Sequence, residues 1–274
     1  MRWAGQLIGL ILVTLLSTSC SAPAPVAQPQ GSPTAGSAPQ PSASLAGRTL
    51  AVATDAEYPP FAFRTPPENT LTGFDVELMQ AIATKAGATL SIREAPFPTL
   101  LQGLADRKYD AVVAALTITS ERQQQARFSE PYATVGQIIV VRAGSSGVEG
   151  YKDLDEIGLV GVLKDSAGET IARKRSKVDD DKLRTYADIQ QAWADLADGT
   201  IDALISDSVQ AGQFLATPAY RQKLTRIGKP LAAESYGIAV QQDDAQLQHA
   251  INTALAELAS DGTIDRLKQK YGIE

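Results

Sequence analysis

From Thr49 to Asp55 the chain reads TLAVATD, a short run of small and branched apolar residues closed by a polar one, which predicts a buried strand. Phe74, Leu78, Ile82 and Ala86 then recur at helical spacing, with Met79 beside them and Gly87 placed to close the helix. TLSIRE predicts a second strand, Leu100, Leu101 and Leu104 mark a second helix, and Asp110 to Leu116 (DAVVAAL) predicts a third strand. Strand, helix, strand, helix, strand is the order of a parallel α/β sheet. It returns further on: Leu159 to Leu163 as strand, a helix after Ser166, a short strand near KLRTY, a helix carrying Ile189, Trp193 and Leu196, and Asp202 to Ser206 as strand. A further strand (Tyr236 to Val240) and two amphipathic helices, with Leu247, Ile251, Leu255 and Leu258 and then Ile264 and Leu267, are surplus to this second unit and could pack back on the first.

The two units share more than their order. LADRKYDAVV begins at Leu104 and LADGTIDALI at Leu196, 92 positions later, with Leu-Ala-Asp and Asp-Ala at matching places. The same offset carries Ala115 onto Asp207, each at the end of its unit's third strand. Ligands of open α/β sheets bind beyond the carboxyl ends of the strands, so two such lobes would share a cleft there. Asp55, Tyr58, the segment Ala115 to Arg122, Ser166 to Gly168 and Asp207 are its expected lining.

The first part of the chain follows other rules. Leu7 to Leu16 is an apolar run too short to span a bilayer but of the length of a signal-peptide core, and small residues precede Cys20 (LLSTSC). Residues 1–19 are read as a signal peptide and Cys20 as a lipidation site, the motif resembling a bacterial lipobox except for Ser17, where an aliphatic residue is usual. An ordinary secretory signal with an incidental thiol is the alternative. Residues 20–47, rich in Pro, Ala, Ser, Gln and Gly, cannot bury enough apolar surface to offset their ordering entropy and are read as a disordered tether. Over all 274 residues there are 25 Lys+Arg against 31 Asp+Glu, a net charge of −6, one Cys and one His. That composition allows no internal disulfide, no His-rich metal site and no basic face for nucleic acid.

Six segments together, ATDAEYPPFAF, LTGFDVELMQAIA, DAVVAALTITSERQQQARFSEPY, VGVLKDSAGET, GTIDALISDS and ASDGTIDRLKQKYG, resemble the extracytoplasmic solute-binding proteins of ABC transporters, family 3, which handle polar amino acids. The resemblance implies two doubly wound α/β lobes joined by two crossing strands, a periplasmic-binding-protein-like fold of type II. Lobe I is then residues 48–133 plus 236–274, and lobe II residues 134–235. It also implies a monomeric receptor, exported to the periplasm or cell surface and lipid-anchored, which delivers its ligand to an ABC permease. No catalytic residue, cofactor or metal is assigned.

An amino-acid ligand offers a carboxylate and an ammonium, and burying either unpaired is costly. The resemblance assigns the carboxylate to Arg122, a planar bidentate donor, with Thr117, Ser166 and Ala167. It assigns the ammonium to Asp207, Ala115 and Thr117, and the ligand side chain to Asp55, Tyr58, Phe97, Leu163 and Gly168. SERQ at Ser120 and SAGE at Ser166 read as capping boxes that start helices. Each residue also has an ordinary explanation: Arg122 as a surface cation, Asp207 as a helix cap, Phe97 as core. Phe61, Phe63 and Trp193 are read as core, Glu57 as outward-facing and His249 as surface. Two other functions share the fold, a prephenate or arogenate dehydratase with Glu57 or Asp165 as its acid, and a ligand-sensing module of a receptor.

Overall fold

The structure, a computed structural model, describes residues 45–231 and 233–273; the expected signal peptide, Cys20 and all but the last three residues of the expected tether lie outside them. In chain order, β1 (Thr49–Thr54) leads into a three-stranded meander, β2 (Glu57–Tyr58), β3 (Ala62–Thr65) and β4 (Thr70–Thr72), then α1 (Phe74–Ala86) and β5 (Thr89–Glu94). α2 (Leu100–Ala105), β6 (Ala111–Val112), α3 (Ser120–Gln123) and β7 (Arg127–Phe128) follow. The long strand β8 (Ala133–Arg142) opens a second group: β9 (Val160–Leu163), α4 (Ala167–Ile171) with a π-helical extension over Ala172–Ser176, β10 (Leu183–Tyr186), α5 (Ile189–Asp198), β11 (Ala203–Asp207), α6 (Ser208–Ala216) and β12 (Leu224–Ile227). The chain ends with β13 (Ala233–Tyr236), β14 (Ala239–Val240), α7 (Ala245–Ser260) and α8 (Thr263–Tyr271).

Most strands form two sheets of like topology, β5-β1-β6-β14-β7 and β10-β9-β11-β8-β12, the second extended by β13 on β8. In each, the first three strands are parallel, the fourth runs against them, and the fifth is antiparallel to the fourth. Apolar clusters cover both faces of both sheets, α1 and α7 on one side of the first sheet and α2 on the other, α5 and α4 on opposite sides of the second. That is the doubly wound α/β architecture expected, in two lobes.

The repeated Leu-Ala-Asp…Asp-Ala motif has a structural cause. Asp110 N–H donates to Ala51 O (2.7 Å) and its carboxylate accepts from Ala51 N–H (2.8 Å), clamping β6 to β1. Asp202 does the same for β11 and β9, with Leu159 O (2.8 Å) and Leu159 N–H (3.0 Å). An arginine holds each clamp, Arg48 on Asp110 and Arg142 on Asp202, both at 2.8 Å.

Two strands cross between the lobes. Ala133–Gly136 of β8 pairs antiparallel with β13, and the rest of the same strand, from Gln137, pairs with β11 and β12. β8 is thus both one of the crossing strands that the resemblance implies and a strand of the second sheet. The meander β2–β4, the helix α6 and strands β7 and β12 were not expected either. They are too short or too mixed in polarity for a periodic signal. Conversely, the strand expected over Asp110 to Leu116 pairs as strand only at Ala111–Val112, because Ala115 takes a left-handed conformation (φ 46°) that ends the extended run.

Phe61 and Trp193 are fully buried, Trp193 stacked on Phe214 with ring centroids 4.7 Å apart; Phe63 is half-buried against the core, and His249 and Glu57 are exposed. The folded chain starts before Arg48. Leu45 is 5% exposed, sits in the lobe I core, and donates its N–H to Ala86 O (2.9 Å). Truncation of Leu45 to Ala is therefore expected to lower the unfolding free energy by about 2 kcal/mol, the lower end for a buried leucine. Denaturant titration checks this; a change below about 0.5 kcal/mol would return residues 45–47 to the tether.

Candidate ligand-binding site

A small cavity of about 20 Å3 opens where the carboxyl ends of both sheets face each other. Lobe I supplies Tyr58, Phe97, Ala115 and Thr117; lobe II supplies Leu163, Ser166, Ala167, Gly168, Ile189, Ile205, Ser206 and Asp207; the crossing strands supply Gln137 and Tyr236. Of the eleven residues expected to touch a ligand, this lining holds nine, all but Arg122 and Asp55, nearly all of them at the ends of strands or the starts of helices.

Asp207 ends β11 and caps α6. Its Oδ1 accepts from the N–H groups of Val209 (2.9 Å) and Gln210 (2.7 Å), and its Oδ2 accepts from the Tyr58 hydroxyl, which reaches across from lobe I. It is 1% exposed. Burial pushes its carboxyl up from the ordinary range, while the Tyr58 hydroxyl and the two backbone N–H groups hold it down. The cap reading and the site reading of Asp207 are thus compatible: one oxygen serves the helix, the other faces the cleft.

Arg122 lies outside the cavity lining, in a neighbouring recess that shares Ser166 and Ala167 with it. Nη1 donates to Thr117 O and Nη2 to Asp165 O, both at 2.8 Å, so one guanidinium ties lobe I to lobe II. Its Cζ lies 5.6 Å over the Phe97 ring, which accounts for Phe97 as a wall rather than core. At 9% exposure Arg122 is no solvated surface cation, and burial lowers its pKa from the ordinary value. The helix it belongs to is capped by Thr119, whose Oγ1 accepts from Arg122 N–H (3.1 Å), and not by Ser120. The start is one residue earlier because Thr119 has the extended backbone a cap needs.

Ser166 does cap α4, accepting from Glu169 N–H (3.2 Å), but the Glu169 carboxylate returns to Asp165 N–H (2.6 Å) instead of to Ser166. Ala167 and Gly168 carry the first two N–H groups of that helix, which have no intrahelical acceptor, and both residues line the cavity. Gly168 packs closely on β11: a Cβ there would lie 3.2 Å from Ile205 O and 3.3 Å from Ile205 Cγ2.

Asp55 departs from the expectation. It is absent from the cavity lining, because its carboxylate accepts from Glu57 N–H and Phe97 N–H, both at 3.0 Å, and so pins the turn after β1 to the segment that carries Phe97. It lines a neighbouring recess with Glu57, Glu94 and Asp188. The recess is built from the same three segments whose next residues, Tyr58, Phe97 and Ile189, line the cavity. Burial, and the charge of Asp188, push the Asp55 carboxyl up from its ordinary value.

Gln137, Ile189, Ile205, Ser206 and Tyr236 were missed. Gln137 carried a signal, a lone amide inside the apolar run VGQIIVV; the other four sit inside predicted strands or helices and look like core residues.

Ala115 is held from below. Its N–H donates to Asp75 Oδ2 (2.7 Å), a fully buried carboxyl in the first turn of α1. The Tyr132 hydroxyl faces Asp75 but neither it nor Asp75 Oδ1 makes a hydrogen bond of good geometry. Burial raises the Asp75 pKa to about 7, against the Ala115 N–H, which lowers it. A raised carboxyl pKa means that the folded state holds a proton that the unfolded state has released. Stability is then greatest below the ordinary value near 3.8 and is lost as pH rises toward about 7. Unfolding free energies measured across that window should fall with pH in the wild type and fall less in Asp75→Asn; equal slopes would exclude an ionising Asp75.

With this geometry in view, comparison with known proteins identifies the class. The fold and the interlobe cavity are those of a two-lobed solute-binding protein. Residues 50–274 match the family model "Bacterial extracellular solute-binding proteins, family 3", and the chain belongs to that family. It is 30% identical over 230 residues to the lysine/arginine/ornithine-binding periplasmic protein of Escherichia coli (strain K12), covering 81% of this chain and 87% of that one. Among solved structures, an ancestral arginine-binding protein bound to arginine is 34% identical, with TM-score 0.77, over 81% of this chain and 97% of that one. The ancestral amino acid-binding protein AncCDT-1, a precursor of cyclohexadienyl dehydratase, is 29% identical with TM-score 0.73, over 81% and 94%.

Proposed function

We propose that this solute-binding protein captures a polar L-amino acid, cationic or glutamine-like, between its lobes and hands it to an ABC permease. The observation that carries the reading is a buried carboxylate, Asp207 of lobe II, in the lining of one small cavity, with a buried arginine, Arg122 of lobe I, in the adjoining recess that shares Ser166 and Ala167. In this reading Arg122 and the N–H groups at the start of α4 grip the carboxylate. Asp207, Thr117 and the Ala115 carbonyl take the ammonium. Because the two charged groups sit on different lobes, a zwitterion bridging them stabilises the closed arrangement over an open one, which is the requirement for hinge closure.

The ligand side chain would run between Tyr58 and Phe97 toward the acidic recess. Asp55, Glu57, Glu94 and Asp188 there favour a cation at the far end of the side chain, and Asp55 contributes by field and by placing Phe97.

Calorimetric titration with the common L-amino acids should find binding to L-arginine, L-lysine or L-glutamine, and Arg122→Ala should weaken it at least 100-fold. No binding to any of them would refute the function, and an unchanged affinity in the variant would refute the site. Exported residues 20–47 are proposed as a lipid-anchored tether through Cys20. Cys20→Ser expressed in a bacterial host should move the protein from the membrane to the soluble fraction, and a wild type already soluble after export would contradict the anchor.

A further inference from the structure

Glu234 lies on β13, one of the two crossing strands, and was not among the residues expected at the site. Its Oε2 accepts from two side chains: the Thr117 hydroxyl of lobe I (3.1 Å) and the Gln137 amide Nε2 of β8 (3.3 Å). Thr117 and Gln137 both line the cavity and are 7% and 4% exposed; Glu234 itself is half-buried and stands behind them. The backbone fixes the arrangement. Thr117 and Tyr236 form a bridge in which Ile118 N–H donates to Ser235 O (2.8 Å) and Gly237 N–H to Leu116 O (3.1 Å), so the Thr117 segment is locked to the strand that carries Glu234. Gln137 stands opposite Asp207 in the β8–β11 pairing.

A hydroxyl and a primary amide are each ambiguous, able to donate or to accept, and an ionised carboxylate can only accept. A threonine whose single proton is given to Glu234 has only lone pairs left for a ligand. A glutamine whose Nε2 is given to Glu234 leaves its Oε1 as the atom free to accept. We propose that Glu234 is a positioning residue that sets the polarity of the cavity wall, turning Thr117 and Gln137 into acceptors beside Asp207 and so selecting a ligand ammonium. The inference rests on the amino-acid reading above and deepens it: the ammonium pocket is then one charged and several neutral acceptors. Placement on a crossing strand suits the task, because Glu234 reaches a lobe I residue and the start of the lobe II strand from a point near the pivot.

The test uses Glu234→Gln, which keeps size and shape but supplies donors of its own, and Thr117→Val, singly and combined, in the full folded domain. The probe is whichever of L-arginine, L-lysine and L-glutamine the wild type binds most tightly, with its α-deamino counterpart (5-guanidinopentanoate, 6-aminohexanoate or 4-carbamoylbutanoate) as the comparison ligand. Glu234→Gln is expected to weaken the amino acid about tenfold, the loss of one well-made charge-assisted bond, and to leave the deamino compound within about twofold. The double variant should bind little worse than the Thr117→Val single, because Glu234 acts in part through that hydroxyl. Equal losses for both ligands, or losses that multiply in the double variant, would show a merely structural hinge residue and overturn the proposal. Thermal unfolding of each variant separates misfolding from lost recognition. A wild type that binds no amino acid would instead overturn the reading on which this rests.

Discussion

Asp207 is a carboxylate almost wholly removed from water, and the structure around the cleft is organised by the need to satisfy it. Burying an ionised carboxylate without partners costs several kcal/mol, so it must be surrounded by donors. Two come from the start of its own helix, and a third, the Tyr58 hydroxyl, comes from the other lobe. The remaining capacity for a cation at that position is what makes the spot a recognition site and not only a cap. Arg122 is the complementary case, a buried guanidinium whose donors are met by carbonyls of both lobes. In the proposed reading, these opposite charges on two lobes are what a zwitterion would bridge.

The same economy of backbone pairing explains how two lobes arise from one repeated unit. Asp110 and Asp202 clamp the third strand to the first in each sheet, and the residue five positions on, Ala115 or Asp207, emerges at the cleft. In lobe I that residue is kept in a left-handed conformation by the Asp75 carboxyl beneath it, which presents its carbonyl at the cavity. In lobe II the equivalent place carries the charge itself. Duplication thus produced two similar scaffolds with different chemistry at corresponding points.

Family membership and the cavity together define a solute-binding protein, with an acidic recess beside Tyr58 and Phe97. Asp55 acts in this picture less as a direct partner than as the residue that holds Phe97 in place. Its carboxylate is spent on two backbone N–H groups, a role that residue type and spacing could not distinguish from ligand contact.

What the sequence determined by itself was local and periodic. The parallel β-α-β order, the helix from Phe74 closed by Gly87, the repeat that joins Ala115 to Asp207, and Arg122, Tyr58 and Asp207 as the charged and aromatic candidates could all be read from spacing and residue type, since side-chain period and cap chemistry are properties of short segments. What only the tertiary structure decided depends on partners distant in the chain. The burial of Leu45, the continuation of β8 from crossing into sheet, the turning of Asp55 away from the cavity, the fit of Gly168 against Ile205 and the stance of Glu234 behind Thr117 and Gln137 are each set by a neighbour from another element. Hydrogen-bond satisfaction and close packing are decided in three dimensions, and no one-dimensional period encodes which donor a buried oxygen will find.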